Sequence, residues 1–584
     1  MSWYEAVWLP KQVTIRTAGE VCESTTELLE SPLFKQVVQK FIVRLRRRDS
    51  SLLAVLDLLP GHSEDVLVDV LKDLGVKPLS EVVAQRPEVA PLLEVKEMLH
   101  QFVEELYNYW RSLDRFTVCH SERGSTKELD VRPYRTFNDT IEQLNHLVRA
   151  AYRDICENIT GDHPRIYRQV AAGAQVGLIA VPKSWPVPRE YDLEEVPFIR
   201  QMLIDPPLII DPPMNKRTGS FQKVNDNPLA GVPFNEGEWY CYPAQVGPMV
   251  IFVYFHQCFM GLGCALANLF ELASDEQIQK GPDAIYAYGV DPQYLNRFGD
   301  LPTVFHEDEA NDLLIAACPG ESRFGYFGYL KKMVLTLHNI IVMKKLRRMP
   351  FHGAMTRIVM KNGKSANVVI IGDTAAGKSE SLEALRVLGE DYIRELTVIA
   401  DDMGSFAVED GKVKGYGTEI GAFVRLDDLQ PGYAFDQVDR AVIMSPHKTN
   451  ARAVMPVTTI DEVLRGYEVN YLFYANNYEK VDGEHPVIQR FPDPETALTV
   501  FRDGKAMSKG TTTSSGLVQT YFANIFGPAQ YQQLHEELAR ELFAAAFEAG
   551  VYVGQLRTRL GIPGYEQEGP ETVAKALFKL ISEE

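Results

Sequence analysis

An α/β body preceded by a mainly helical N-terminal region is the fold this sequence predicts, and three observations predict it. The chain has 584 residues, more than one hydrophobic core organises, so several domains are expected. Leu33–Arg47, Glu64–Leu74, Leu92–Trp110 and Phe137–Ile155 carry apolar residues at three-and-four spacing, the period of amphipathic helices. From about residue 236 onward, β-branched runs alternate with helical runs, the pattern of an α/β body.

The helical region is placed at residues 1–190. A proline-rich connector, Val181–Asn235, follows it. Near the C-terminus, Gln530–Ala549 and Pro570–Ile581 read as two further helices.

Composition narrows the function classes. A net charge of −19 argues against a non-specific nucleic-acid or anionic-membrane surface. The main basic run, Arg44-Leu-Arg-Arg-Arg48, reads as a solvated helix face. Seven cysteines are scattered without a C-x-x-C pair, so neither a disulfide framework nor a zinc knuckle is expected, and a reducing compartment is. The first residues lack the charged-then-apolar order of a signal peptide, which places the expectation in the cytoplasm. Gly247–Phe270 is uncharged over 24 residues, long enough to span a bilayer. Its Gly-Pro opening, His256, Gln257, Asn268 and the Gly261-Leu-Gly263 break instead predict a buried strand (Met249–Phe255) turning into a buried helix (Leu262–Leu269).

Chemistry concentrates further on. The apolar strand Ala366–Ile371 runs into Gly372-Asp373-Thr374-Ala375-Ala376-Gly377-Lys378-Ser379 and then the helical Glu380–Leu388. This is G-x-x-x-x-G-K-S between a strand and a helix, the setting a phosphate loop requires. Glycines let backbone N–H groups turn toward phosphate oxygens, Lys378 reaches the terminal phosphates, and the Ser379 hydroxyl ligates Mg²⁺. A second strand, Leu396–Ala400, is expected to end in Asp401-Asp402, a carboxylate pair placed to hold divalent metal.

With these residues in view, the sequence resembles the phosphoenolpyruvate carboxykinase family over roughly residues 320–584, more weakly over 200–320, and not in the N-terminal region. Tyr326-Phe327-Gly328-Tyr-Leu-Lys331-Lys332 is similar to the family's Tyr-Gly-Gly-x-x-Lys-Lys. The resemblance implies that Tyr326 and Gly328 lie against substrate and that Lys332 ligates a catalytic Mn²⁺. His352 and Asp402 match the family's other two metal ligands, and Asp401 joins them at the catalytic centre. A neutral lysine amine, an imidazole and a carboxylate form a mixed N/O set suited to Mn²⁺.

Glu419-Ile-Gly-Ala-Phe-Val-Arg425 resembles a nucleotide-contacting segment, with Arg425 in the place of a lysine. Arg452, in Lys448-Thr-Asn450-Ala-Arg452, matches an arginine that bridges phosphoryl group and substrate, a task suited to a planar fork. Arg217 is the counterpart of an early substrate-binding arginine. Phe501–Gly516 occupies the position of a mobile lid.

The chain departs from the pattern at Phe327, which replaces a glycine, and at Ala376, which stands where the GTP-using class has a reactive cysteine. ATP is therefore the first expectation for the phosphoryl donor, with GTP and pyrophosphate as alternatives.

The resemblance implies a two-lobed mixed α/β body, with a substrate-binding lobe at 191–350 and a nucleotide- and metal-binding lobe at 351–584. The implied activity is the reversible conversion of oxaloacetate to phosphoenolpyruvate and CO₂, a gluconeogenic lyase reaction using Mn²⁺ and Mg²⁺ with small-molecule partners only. Two rivals stay open: a P-loop kinase of another substrate that does not decarboxylate, and a non-catalytic nucleotide-binding regulator. Oligomeric state is left open.

Overall fold

The computed structural model describes all residues except 1–3, 18–20, 121–131, 164–165, 167–169, 189, 236, 301, 374–375, 379–380, 382–383, 385–392, 427–428, 430–434, 510–514, 567 and 584. It is a mixed α/β structure. Two compact units compose it: Met1–Pro182 with Ile199–Asp205, and Lys183–Phe198 with Pro206–Glu584.

In the first unit, helices Pro32–Arg47, Glu64–Leu74, Lys96–Arg111 and Arg132–Thr160 occupy the stretches where helical periodicity was read. Their apolar stripes meet in one core that includes Val38, Ile42, Leu67, Leu71, Leu99 and Phe102. Ser31 and Ser63 cap two of these helices by accepting from Phe34 N and Val66 N, which satisfies donors the helix leaves free.

Beside its helices this unit carries strands that helical periodicity did not reveal. Strands Tyr4–Leu9, Gln12–Thr17, Asp114–His120, Val176–Val181 and Phe198–Ile204 line up in that order. The second pairs in parallel with the third, and the third with the fourth. These central strands are buried on both faces, so they show no alternation, and a short apolar run of this kind cannot be told from a piece of buried helix. Arg115 ties sheet to helix. Its buried guanidinium donates to the carbonyls of Arg111 (2.8 Å), Leu113 (2.9 Å) and Gly173 (2.7 Å), using a cation to satisfy a helix C-terminus. Burial lowers its pKa to about 10.

The second unit holds two large sheet regions. One runs Trp239–Val246, Met249–His256, Ala284–Val290, Leu313–Pro319, Val304–Asp308, Gln222–Val224. The supposed bilayer-length segment supplies its buried strand Met249–His256 and the short helix Met260–Cys264. Among the described residues, no helix is long and apolar enough to cross a membrane.

The other sheet runs Tyr467–Glu468, Lys412–Gly417, Ile393–Glu409, Met349–Met360, Ser365–Ile371, Tyr471–Asn476, Tyr552–Arg557, Ile488–Arg490. Ser365–Ile371, which leads into the phosphate-loop sequence, is parallel to Tyr471–Asn476, and that strand is parallel to Tyr552–Arg557. A four-stranded sheet orders Gly421–Arg425, Arg452–Pro456, Val442–Met444, Leu208–Ile210. Helix Phe327–Leu346 is buried along nearly its whole length, which accounts for its lack of an amphipathic period.

One local expectation is corrected. Asp401-Asp402 does not end a strand but lies inside the 17-residue strand Ile393–Glu409. A register shift against Met349–Met360 falls just before the pair, and Asp402 takes φ +109°. The bulge re-aims the chain without ending it. The lid segment begins as the last turn of helix Pro494–Asp503 and continues in the antiparallel strands Lys505–Lys509 and Ser515–Gln519, while its residues 510–514 lie outside the described residues. Asn477 brackets the first of these strands, accepting from Met507 N (2.8 Å) and donating to Met507 O (2.9 Å).

Close backbone approach makes Gly421 irreplaceable: a Cβ there would lie 1.8 Å from Asn268 O and 2.7 Å from Met455 O. Gly421→Ala should destabilise the protein by about 1–3 kcal/mol, the scale of overpacking. Urea unfolding is the check, and an unchanged midpoint would contradict the packing described.

Candidate functional site

The site grows from the first two turns of helix Phe327–Leu346. Tyr326 caps that helix, and its ring lies where a side chain on Gly328 would sit, 2.4 Å from an added Cβ. Gly328 is therefore required for the tyrosine's placement. One turn on, Lys331 is wholly buried and donates to Asp402 Oδ2 at 2.8 Å. It also lies 3.3 Å from Glu419 Oε2. Burial alone would lower the Lys331 pKa, but the carboxylates of Asp402 and Glu419 hold it above the usual lysine value.

Asp402 accepts from Lys331 on Oδ2, and His352 Nε2 lies 2.9 Å from its Oδ1. Burial opposes its charge, yet Lys331, His352 and Lys378 keep its pKa well below the usual carboxylate range. His352 is buried, and its Nδ1 donates to the carbonyl of Ala523. The tautomer follows from that partner, because a carbonyl can only accept. In the neutral ring, Nε2 then presents a lone pair toward an ionised carboxylate oxygen. Two facing acceptors need a cation between them or a second proton on the ring.

Lys332 completes this corner. Its Nζ lies 4.5 Å from the centre of the Phe526 ring, which also packs against His352 at 5.8 Å between ring centroids. Burial lowers the Lys332 pKa to about 8, and the cations Arg217, Lys331 and Arg452 push the same way against the opposing pull of Asp402. An amine desolvated in this way can offer its lone pair near neutral pH. Lys332, His352 and Asp402 thus form a donor set whose chemistry fits a divalent cation such as Mn²⁺.

Around this centre lie the other expected residues. Tyr326 has its pKa raised by burial, while Arg452, Lys331 and Arg217 act to lower it. Arg452 opens its strand in register with Arg425 on the neighbouring one, and its guanidinium sits 5.4 Å from the Phe423 ring. Arg217 is drawn in because Thr218 N donates to the Tyr329 hydroxyl at 3.0 Å. Asn450 and Lys448 also tie the neighbouring chain down, donating to Asn215 O (2.6 Å) and Pro212 O (2.9 Å). Asp401 is buried, and its charge acts on Lys331 and Glu419.

In the phosphate-loop sequence, Lys378 is buried and folds back to donate to Gly372 O (2.6 Å) and Asp373 O (3.2 Å). Gly377 takes φ +92°, with Thr558 packed against it, and Thr558 Oγ1 donates to Ala376 O at 2.7 Å. Thr374, Ala375 and Ser379 lie outside the described residues, as does most of the following Glu380–Leu388 stretch.

The structure adds residues to which sequence reading gave no role. Phe423 receives Lys331, Arg452 and the ring of Phe327, so Phe327 turns into the core where the family has a glycine. Phe522, Ala523 and Asn524 have three successive positive φ values (43°, 57° and 62°), a left-handed run that is costly for a side chain such as phenylalanine. Asn339 anchors this segment by donating to Phe526 O at 2.8 Å. No sequence signal marks these residues, because their contacts are made far along the chain: Ala523 meets His352 across 171 positions and Phe526 meets Asn339 across 187.

Glu419 is the most telling addition. It is 1% exposed, and its oxygens lack hydrogen-bonded geometry to any partner among the described residues. Burial, together with Asp402 and Asp401, raises its pKa to about 8 against the pull of Lys331. The unfolded chain loses this proton near pH 4.5 and the folded chain holds it until about 8. The stability this group contributes is therefore full below about pH 4.5 and falls away by about pH 8. Relative to Glu419→Gln, the native protein should lose stability between those limits. Urea unfolding of both proteins at about pH 5 and about pH 8 measures it; parallel pH dependences would contradict the raised pKa.

Compared with known proteins, the chain matches no family model and no curated protein.

Proposed function

We propose that this unit catalyses the reversible, metal-dependent conversion of oxaloacetate and a phosphoryl donor to phosphoenolpyruvate and CO₂, as phosphoenolpyruvate carboxykinases do. One observation carries the reading: the His352–Asp402 pair sits beside the desolvated Lys332 amine, and Lys378 of the phosphate-loop sequence acts electrostatically on Asp402. A generic phosphate-loop kinase has no use for that lysine and histidine.

In the reaction, the bond between the oxaloacetate carbon and its departing carboxylate breaks, and its electron pair passes into an enolate. The enolate oxygen then bonds to the terminal phosphorus as the donor's bridging oxygen leaves. Arg217, Tyr326 and Arg452 bind and orient the dicarboxylate, and Arg452 and Lys378 neutralise the phosphoryl oxygens. Lys331 holds Asp402 in its rotamer, and Ala523 O fixes the His352 tautomer, as outer partners of metal ligands do. Lys332, His352 and Asp402 would hold a divalent ion, which would supply Lewis-acid stabilisation of the developing negative charge. The paired strands Lys505–Lys509 and Ser515–Gln519 would belong to the lid that excludes water. ATP is the first expectation for the donor, with GTP and pyrophosphate as alternatives.

Purified protein assayed with oxaloacetate, Mn²⁺ and each donor should release CO₂ and phosphoenolpyruvate. Lys378→Ala should lower turnover at least ~10²-fold with the fold intact by circular dichroism. His352→Gln should abolish decarboxylation and weaken Mn²⁺ binding while sparing nucleotide affinity. Phosphoryl transfer without CO₂ release would replace this reading by another kinase, and tight nucleotide binding without turnover by a regulator.

A further inference from the structure

A second metal-type cluster lies in the first unit, and the carboxykinase reading makes no use of it. His100 and Glu104 stand four residues apart on helix Lys96–Arg111, so they share one face. Cys156, on helix Arg132–Thr160, is buried opposite them. His100 Nε2 lies 3.7 Å and Cys156 Sγ 3.9 Å from the same atom, Glu104 Oε1. All three donor atoms lie within 4.8 Å of one another. Zinc–ligand lengths of roughly 2.0–2.3 Å imply tetrahedral edges of roughly 3.3–3.8 Å, so these separations are close to those of a three-sided cage.

Two features show the cluster is held in place. The Tyr152 hydroxyl donates to Glu104 Oε1, the kind of outer hydrogen bond that orients a ligating carboxylate. The Tyr107 and Tyr152 rings stack at 4.0 Å and 9°, locking the two helices together at this point. His100, Glu104 and Cys156 also line one cavity of about 570 Å³. In that cavity wall, the Nε of Arg149 has no hydrogen-bond partner among the described residues.

We propose that His100 Nε2, Glu104 Oε1 and Cys156 Sγ bind one Zn²⁺, with the fourth coordination position open to this cavity. A thiolate and an imidazole select zinc over Mg²⁺ or Mn²⁺. Three protein ligands with one open position make an exchangeable site rather than a structural one. Cys156 gives up its thiol proton when the ion binds. Arg149 favours a small anion, inorganic phosphate or a carboxylate, as the exchangeable ligand. The inference stands whether or not the carboxykinase reading holds.

Cobalt(II) is the probe, because only a sulfur ligand produces a thiolate-to-cobalt charge-transfer band in the near ultraviolet. The Lys332, His352 and Asp402 set has no sulfur and is silent in this measurement. Full-length protein titrated with Co²⁺ should develop the band at one equivalent, and Zn²⁺ should abolish it. The band should survive in His352→Gln, disappear in Cys156→Ser, and need at least ~10-fold more cobalt in His100→Ala. His100 is half-exposed, so that variant decides the matter if Cys156→Ser fails to fold. Absence of the band in folded protein, or its persistence at full strength in both variants, would overturn the proposal.

Discussion

The second unit's chemistry depends on one carboxylate. Asp402 sits where a bulge and a φ of +109° turn its strand, and its two oxygens are claimed by Lys331 and His352. Neither partner is near it in sequence. Lys331 comes from a helix 71 residues earlier and His352 from a strand 50 residues earlier. Removing Asp402 leaves the buried Lys331 with Glu419 alone, and removing Lys331 takes away the cation that keeps Asp402 charged; breaking a buried pair in this way costs more than the pair contributes. The arrangement is therefore self-enforcing: the helix, the bulged strand and its neighbour hold their relative positions together or lose them together.

Around that centre, opposed shifts set the charges. Lys331 and Lys332 are consecutive, but carboxylates keep the first charged, while burial and neighbouring cations bring the second down to about 8. Glu419 moves up to about 8 by the same low-dielectric logic. Neighbouring groups whose environments drive their pKa values apart characterise sites that bind or transfer charge. With Arg217, Lys378 and Arg452 adding positive charge, the site suits polyanionic ligands inside a chain of net charge −19.

Strain is placed beside this chemistry. The left-handed run Phe522–Asn524 delivers Ala523 O to His352 and the Phe526 ring to Lys332. Such a run persists only where its surroundings over-determine it; here Asn339 does so from the same helix that carries the two lysines. The first unit handles its buried charge differently. Arg115 spends its guanidinium on helix-end carbonyls, a purely structural use.

Periodicity alone located the long amphipathic helices, because a helix with one wet face records its own period in the chain. Glu64–Leu74 is the clear case, found with the same bounds. The glycine-lysine pattern, a purely local one, raised the expectation of a phosphate loop at Gly372–Ser379, and the order of Tyr326, Lys332, His352 and Asp402 supported a family resemblance. Tertiary structure decided the rest. Strands such as Val176–Val181, wet on neither face, leave no alternation to read. The bulge at Asp402 is a property of pairing with Met349–Met360. The division of labour between Lys331 and Lys332, the raised pKa of Glu419, and the parts played by Ala523 and Phe526 come from burial and from neighbours far away in the chain. A sequence states which groups are present; their protonation and aim are set by what the fold brings within a few ångströms.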